Sequence, residues 1–159
     1  MKRRYLLTLL PMFVARVALP AEEPTGPQPE LPKEKLTIIT RDGQRHELNV
    51  EVAKSYEQQL AGLMFRKSVP EDGGMLFDWH QPRVSGMWMK NTLIPLDMVF
   101  INQNGTINTI VENTVPESLT PIYSQGPVLA TLEVAAGTTK RLNVRVGDKV
   151  EGSIFKSAS

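Results

Sequence analysis

Short β-branched or alternating runs, separated by turn dipeptides, dominate this chain and leave little room for anything but a small sheet. Residues 36–40 are followed by Asp42-Gly43, and residues 47–52 then alternate polar and apolar with a period of two. Glycine accepts the positive φ that a tight turn demands, so the segment reads as a hairpin. A second hairpin is expected where 97–101 and 106–111 flank Asn104-Gly105. Further strands are expected at 75–77, 87–89, 128–134 and 149–155, with an irregular, proline-containing loop over 113–127. One helix stands out: Ser55 and Gln58 have capping-box spacing, and Tyr56, Leu60, Leu63 and Met64 share a face. The pattern predicts a helix ending near Phe65. A single helical turn is expected over 138–142. The expected class is α+β, mostly β: a small curled antiparallel or mixed sheet, or partial barrel, with one early α-helix. Closure or a covering helix would protect the edges of so many short strands.

The N-terminal part follows different rules. Lys2-Arg3-Arg4, the apolar run 5–15, Arg16 and the small residues Ala18 and Ala21 describe a secretory signal peptide over 1–21. The run is well short of the ~20 apolar residues of a spanning helix. Residues 22–35 hold Pro24, Pro27, Pro29 and Pro32 among charged side chains, which predicts a disordered Pro-rich linker. Residues 36–159 are expected to form a single β-rich domain. An exported protein follows, periplasmic or extracellular, with no stable membrane insertion after signal cleavage.

The chain has 18 Lys+Arg and 17 Asp+Glu, but four of the basic residues and none of the acids fall within 1–21, leaving 14 against 17. A nucleic-acid binder needs a basic face to displace counterions, so no nucleic-acid partner is expected. The absence of cysteine excludes a disulfide framework, a thiolate metal site and a cysteine nucleophile. No cofactor motif is present: the sequence contains no Gly-rich phosphate loop and no nucleophile elbow. A monomer is expected.

The candidate chemistry lies in loop 86–97. Pro95 removes a backbone donor and interrupts the ladder, and Lys90, Asn91, Thr92 and Asp97 offer a cation, an amide, a hydroxyl and a carboxylate. Converging in one pocket, they could grip a small polar or anionic ligand or a cell-envelope partner. The competing reading makes Asp97 and Asn91 turn-stabilising groups and leaves Lys90 solvated. As an enzyme, the protein would use Asp97 as acid or base, with Lys90 setting its pKa and Asn91 orienting the substrate. A third reading uses the methionines. In an alternating strand Met87 and Met89 point one way and Trp88 the other, and two thioethers with His80 could hold Cu(I). Methionine is also a flexible core filler. Asp78 and His80 could form an acid–base pair.

Gly62-Leu63-Met64-Phe65-Arg66, Gly74-Met75-Leu76-Phe77, Trp88 through Asp97 and Leu132-Glu133 together resemble the uncharacterised bacterial and archaeal family called domain of unknown function 192. The resemblance runs from about Leu36 to Phe155. It implies a single small β-rich domain and no established reaction. Its signature positions are Gly62, Met64, Arg66, Gly74, Met75, Trp88, Lys90, Asn91, Thr92, Pro95, Asp97 and Glu133. Arg66 could bind an anion bidentately, or pair with Asp97 or Glu133. Glu133 alternates with Leu132 and Val134 along a strand, so it either finds a partner or faces solvent. The ligand-binding set taken forward is Arg66, Trp88, Lys90, Asn91, Thr92, Asp97 and Glu133.

Overall fold

The computed structural model describes residues 22–155; the expected signal segment lies outside the described residues. Seven strands and two short helices follow in the order β1 (Lys33–Ile39), β2 (Arg45–Ala53), α1 (Tyr56–Ala61), β3 (Met75–Met87), β4 (Leu96–Ile101), β5 (Ile107–Val111), β6 (Ile122–Ala135), α2 (Thr138–Arg141) and β7 (Lys149–Glu151). They form one mixed sheet in the order β5-β4-β6-β3-β2-β1-β7. Only β2 and β3 pair in parallel, and α1 lies in the crossover that parallel pairing requires.

The two outer strands meet across the gap, so the sheet is a nearly closed barrel. Thr106 bridges Lys149, Val150 N–H donates to the Gly105 carbonyl at 2.7 Å, and Ile107 N–H donates to Asp148 O at 2.9 Å. Gly105, at φ +80°, serves both the hairpin turn and this closure, because a Cβ there would collide with the Val150 carbonyl.

Period-two alternation divides the buried side chains into two cores. Leu36, Ile38, Val50, Leu76, Val99, Leu132 and Val134 point into the barrel. Ala53, Met75, Phe77, Met98 and Phe100 point outwards, where Leu63, Met87 and Met89 cover them. Methionine fills this second core well because its unbranched chain adapts to an irregular gap between sheet and loops.

Both hairpins stand where the sequence places them, and the capping box forms in full: Gln58 N–H donates to Ser55 Oγ and Ser55 N–H to Gln58 Oε1. The helix is shorter than expected. It stops at Ala61 because Gly62 turns at φ +46°, against the Phe77 ring. Strands expected at 75–77 and 87–89 are largely one strand, β3, whose ladder with β6 is irregular between Asp78 and Arg83 and between Val84 and Gly86. Residues 80–84 on it are exposed and lack the alternation that marks a half-buried strand. Trp88 and Met89 lie beyond its end. β6 starts at Ile122, inside the expected loop, and carries Pro127 where the pairing is irregular. β7 is only three residues long.

The Pro-rich stretch differs most from its expected character. β1 begins at Lys33, and the residues before it are tied to the domain. The Gln28 amide donates to the carbonyls of Gln58 (3.0 Å) and Gly62 (2.9 Å), and Leu31 N–H donates to Glu51 Oε2 at 2.8 Å. Proline leaves no N–H to satisfy, so a few donors between prolines are enough to hold the segment.

Candidate functional site

On the outer face of the barrel one row of cross-strand neighbours runs Lys33, Glu51, Met75, Glu133, Met98, Val111. Two acids therefore share an apolar face with Met75 between them, and the structure treats them differently. Glu51 is buried, and Arg66 grips it with both terminal guanidinium nitrogens, at 3.2 and 3.0 Å. Leu31 N–H adds a third bond. Glu133 is only 4% exposed and lies between Met75 and Met98, each fully buried. Burial alone pushes its carboxyl from an ordinary 4.5 up to about 8, with no hydrogen bond or cation among the described residues to oppose it. The protonated form is therefore favoured at pH 7.

Glu133 faces a cleft of about 180 Å³. One wall is α1 and the turn after it, through Tyr56, Leu60, Leu63 and Met64; β3 supplies Phe77, Trp79, Arg83 and Met87; the following loop supplies Trp88, Lys90 and Thr92. Trp79 stacks on Phe77 with centroids 5.7 Å apart, and its indole N–H donates to Thr131 Oγ1 at 3.2 Å. The Arg83 guanidinium lies 4.3 Å from the Trp79 ring centroid, and the Lys90 ammonium 5.1 Å from that of Trp88. Lys90 also reaches Glu23 Oε1 at 2.5 Å. The cleft thus joins an uncharged acid, apolar and aromatic walls, and two cations.

Asp97 is not part of it. Leu96, Met98 and Phe100 face outwards, so alternation turns Asp97 to the other face of β4. There it is fully buried and accepts four bonds: from Asn113 N–H (2.9 Å), Gly137 N–H (3.1 Å), Thr139 N–H (3.0 Å) and the Thr139 hydroxyl (2.7 Å). It ties β4 to the chain after β5 and to the start of α2. The expected convergence of Lys90, Asn91, Thr92 and Asp97 is therefore corrected, and the proposed acid–base role of Asp97 loses its geometry. Asn91 is a turn residue at φ +54°; its carbonyl accepts Phe65 N–H at 2.8 Å, which pins the Gly62–Arg66 segment. The Thr92 hydroxyl donates to Lys90 O.

Arg66 pairs with neither of the carboxylates expected for it. It opens on a separate, polar recess with Asn49, Lys67 and Asp72, while its charge is matched by Glu51. The methionine–histidine arrangement does not form either. Met87 and Met89 are packed in the outer core, whereas His80 is exposed on a different recess beside Asp78. Its Nε2–H donates to Lys54 O at 2.7 Å, and its Nδ1 lies 3.5 Å from Asp78 Oδ2. Tyr56, Trp79 and Arg83 were absent from the sequence-derived set. The signal for the last two was the continuation of β3, which the exposed 80–84 stretch concealed.

The model of the domain of unknown function 192 family, described as an uncharacterized ACR, matches residues 37–152, and the chain belongs to that family. No curated protein matches the chain. A solved structure from Sinorhizobium meliloti 1021, described as a proposed transcription regulator, is 48% identical, with a TM-score of 0.77 over 79% of this chain and 98% of its own. A protein of unknown function from Novosphingobium aromaticivorans DSM 12444 is 37% identical, with a TM-score of 0.73 over 84% and 93%.

Proposed function

We propose that this member of the domain of unknown function 192 family is an exported, monomeric binding module. Its cleft takes a small amphiphile, an apolar body carrying an anionic group. The observation that carries the reading is Glu133: an acid with no partner among the described residues, in apolar surroundings, at a cavity wall. Such a group is costly to bury and is retained where a ligand uses it. The walls suit an apolar body, Lys90 and Arg83 suit an anion, and the neutral Glu133 carboxyl can donate its O–H to a polar atom of the ligand without repelling it. The ligand's anion would displace Glu23 from Lys90. Loop 86–97 contributes through Trp88, Lys90 and Thr92 rather than through Asp97. Export rests on the composition of 1–21. The acid excess beyond that segment gives no support for carrying the role of the Sinorhizobium relative over to this chain.

A second reading draws on the same acid: protonated at neutral pH beside a cavity, Glu133 could pass its proton to a bound substrate.

Octanoate, an anion on a short apolar chain, tests the binding reading. Wild-type protein should show a rise in melting temperature with octanoate at pH 7, reduced in Lys90→Ala. Affinity should fall as pH rises through about 8, where Glu133 ionises and repels the anion, and Glu133→Gln should bind with little pH dependence over that range. Equal pH dependence in the two proteins would refute the role of Glu133, and no octanoate shift at any pH would refute the ligand class.

A further inference from the structure

The Pro-rich segment before β1 runs along the Lys90 end of the cleft. Glu23 Oε1 meets the Lys90 ammonium at 2.5 Å. Pro24 closes with Leu60, Met64, Trp88 and Asn91 on a gap of only about 10 Å³. Lys90 and Trp88 are wall residues of the larger cleft as well. Pro24, Gly26 and Gln28 are half-buried while Glu23, Thr25, Pro27 and Pro29 are exposed, so alternate residues face the domain, as in an extended chain laid on a surface. These contacts all begin at Glu23 or later, beyond the expected signal segment, so an exported chain keeps them.

The two ends of this segment are held unequally. Its C-terminal end is fastened by the Gln28 amide on two carbonyls at the end of α1, by Leu31 N–H on Glu51, and by Val52 N–H on the Pro32 carbonyl at 3.1 Å. Leu31 also packs against the outer core. Its N-terminal end hangs on the Glu23–Lys90 pair, whose carboxylate side chain is 70% exposed. Ion pairs so open to water contribute little. Between the two ends the chain bends at Thr25 and Gly26, and a Cβ at Gly26 would meet nothing within 4 Å, so there is room to move.

We propose that residues 22–27 are a self-inhibitory strap. Closed, they place the Glu23 carboxylate on Lys90 as a stand-in for the ligand's anion and lay Pro24 beside Trp88. Open, they swing away about the bend at Thr25 and Gly26 while residues 28–32 stay fastened, and Lys90 is released to an external anion. The inference rests on the binding reading for the nature of that anion, and adds the regulation of the same site. Tethered a few residues from its anchor, the strap's carboxylate competes at an effective concentration on the order of millimolar, whatever the protein concentration. It therefore sets a threshold that ligand must exceed.

The test compares full-length wild type, Glu23→Gln and Glu22→Gln. The last makes the same charge change one residue away, at a side chain with no contact to the cleft among the described residues. Both glutamates are exposed, so neither substitution touches the core. Acylation of Lys90 by a limiting dose of acetic anhydride, read by peptide mass spectrometry, reports the open fraction without ligand. Octanoate affinity reports it with ligand. Both should rise about threefold in Glu23→Gln, the factor that an exposed ion pair supplies, and stay at the wild-type level in Glu22→Gln. Equal acylation of Lys90 in wild type and Glu23→Gln would overturn the strap whatever octanoate does. Faster acylation with octanoate bound equally by both would overturn the competition. Equal gains in the two variants would reduce the effect to net charge and overturn it too. No octanoate shift in any of the proteins, with Lys90 still acylated faster in Glu23→Gln, would refute the ligand class and leave the strap in place on Lys90.

Discussion

Replacing Glu133 by Gln changes one atom and removes one titration, so it isolates the consequence of burying this acid among apolar side chains. In the folded chain the carboxyl titrates at about 8, against 4.5 when solvated. Each tenfold difference in proton affinity corresponds to about 1.4 kcal/mol. Below pH 4 the folded and unfolded chains both hold the proton, and wild type and variant should be equally stable. Between the two pKa values only the unfolded chain ionises, so wild-type stability falls as pH rises. The variant should lead by about 3 kcal/mol at pH 7 and by about 5 kcal/mol at pH 9, above which the gap widens no further. All other groups titrate alike in the two proteins and cancel in the difference. Urea unfolding of both proteins from pH 4 to pH 9 measures it directly. Parallel stability profiles, or a variant less stable than wild type at pH 9, would show that Glu133 has a partner or open solvent, and the cleft would lose its central group.

Asp97→Asn should destabilise the domain by about 3 kcal/mol, because an amide puts a donor against donors where a carboxylate accepts four bonds. The fall should appear as a lower urea midpoint and should not be rescued by octanoate. Arg66→Ala should cost about 3 kcal/mol at pH 7 by leaving the buried Glu51 charge uncompensated. Adding Glu51→Leu should recover most of that stability in the same assay, as expected for a structural pair rather than an anion site.

The fold was legible wherever a local signal fixes the backbone. Asp42-Gly43 and Asn104-Gly105 each supply the positive φ of a turn, and Ser55 with Gln58 closes its box within four residues. What the chain does not encode locally was read less well. Gly62 ends α1 through a contact with Phe77, fifteen positions on, and β3 continues past Asp78 because β6 is there to pair with it. The family signature named Glu133, Lys90, Trp88 and Thr92, all of which line the cleft, but it also named Asp97 and Arg66, which hold the barrel together. The signature therefore divides between side chains that line the cleft and side chains that fasten the barrel.

Parity along the strands separates them. Asp97 lies between Leu96 and Met98, and Glu133 between Leu132 and Val134, so in isolation the two acids look alike. Pairing Met98 with Glu133 places them on opposite faces, since Asp97 must then point where Leu132 and Val134 point. On that side Asp97 meets the start of α2 and the chain after β5, and backbone donors satisfy it. On the outer side the cover is one short helix and two loops, and it closes over Glu51 by way of Arg66 but leaves a cavity beside Glu133. Had a second cation been available there, the row Glu51–Met75–Glu133 would hold two structural pairs and the cleft no distinctive chemistry. Arg83 and Lys90, the cations that line the same cleft, are instead engaged with Trp79 and with Trp88 and Glu23, arrangements that hold them over the aromatic walls rather than on the acid.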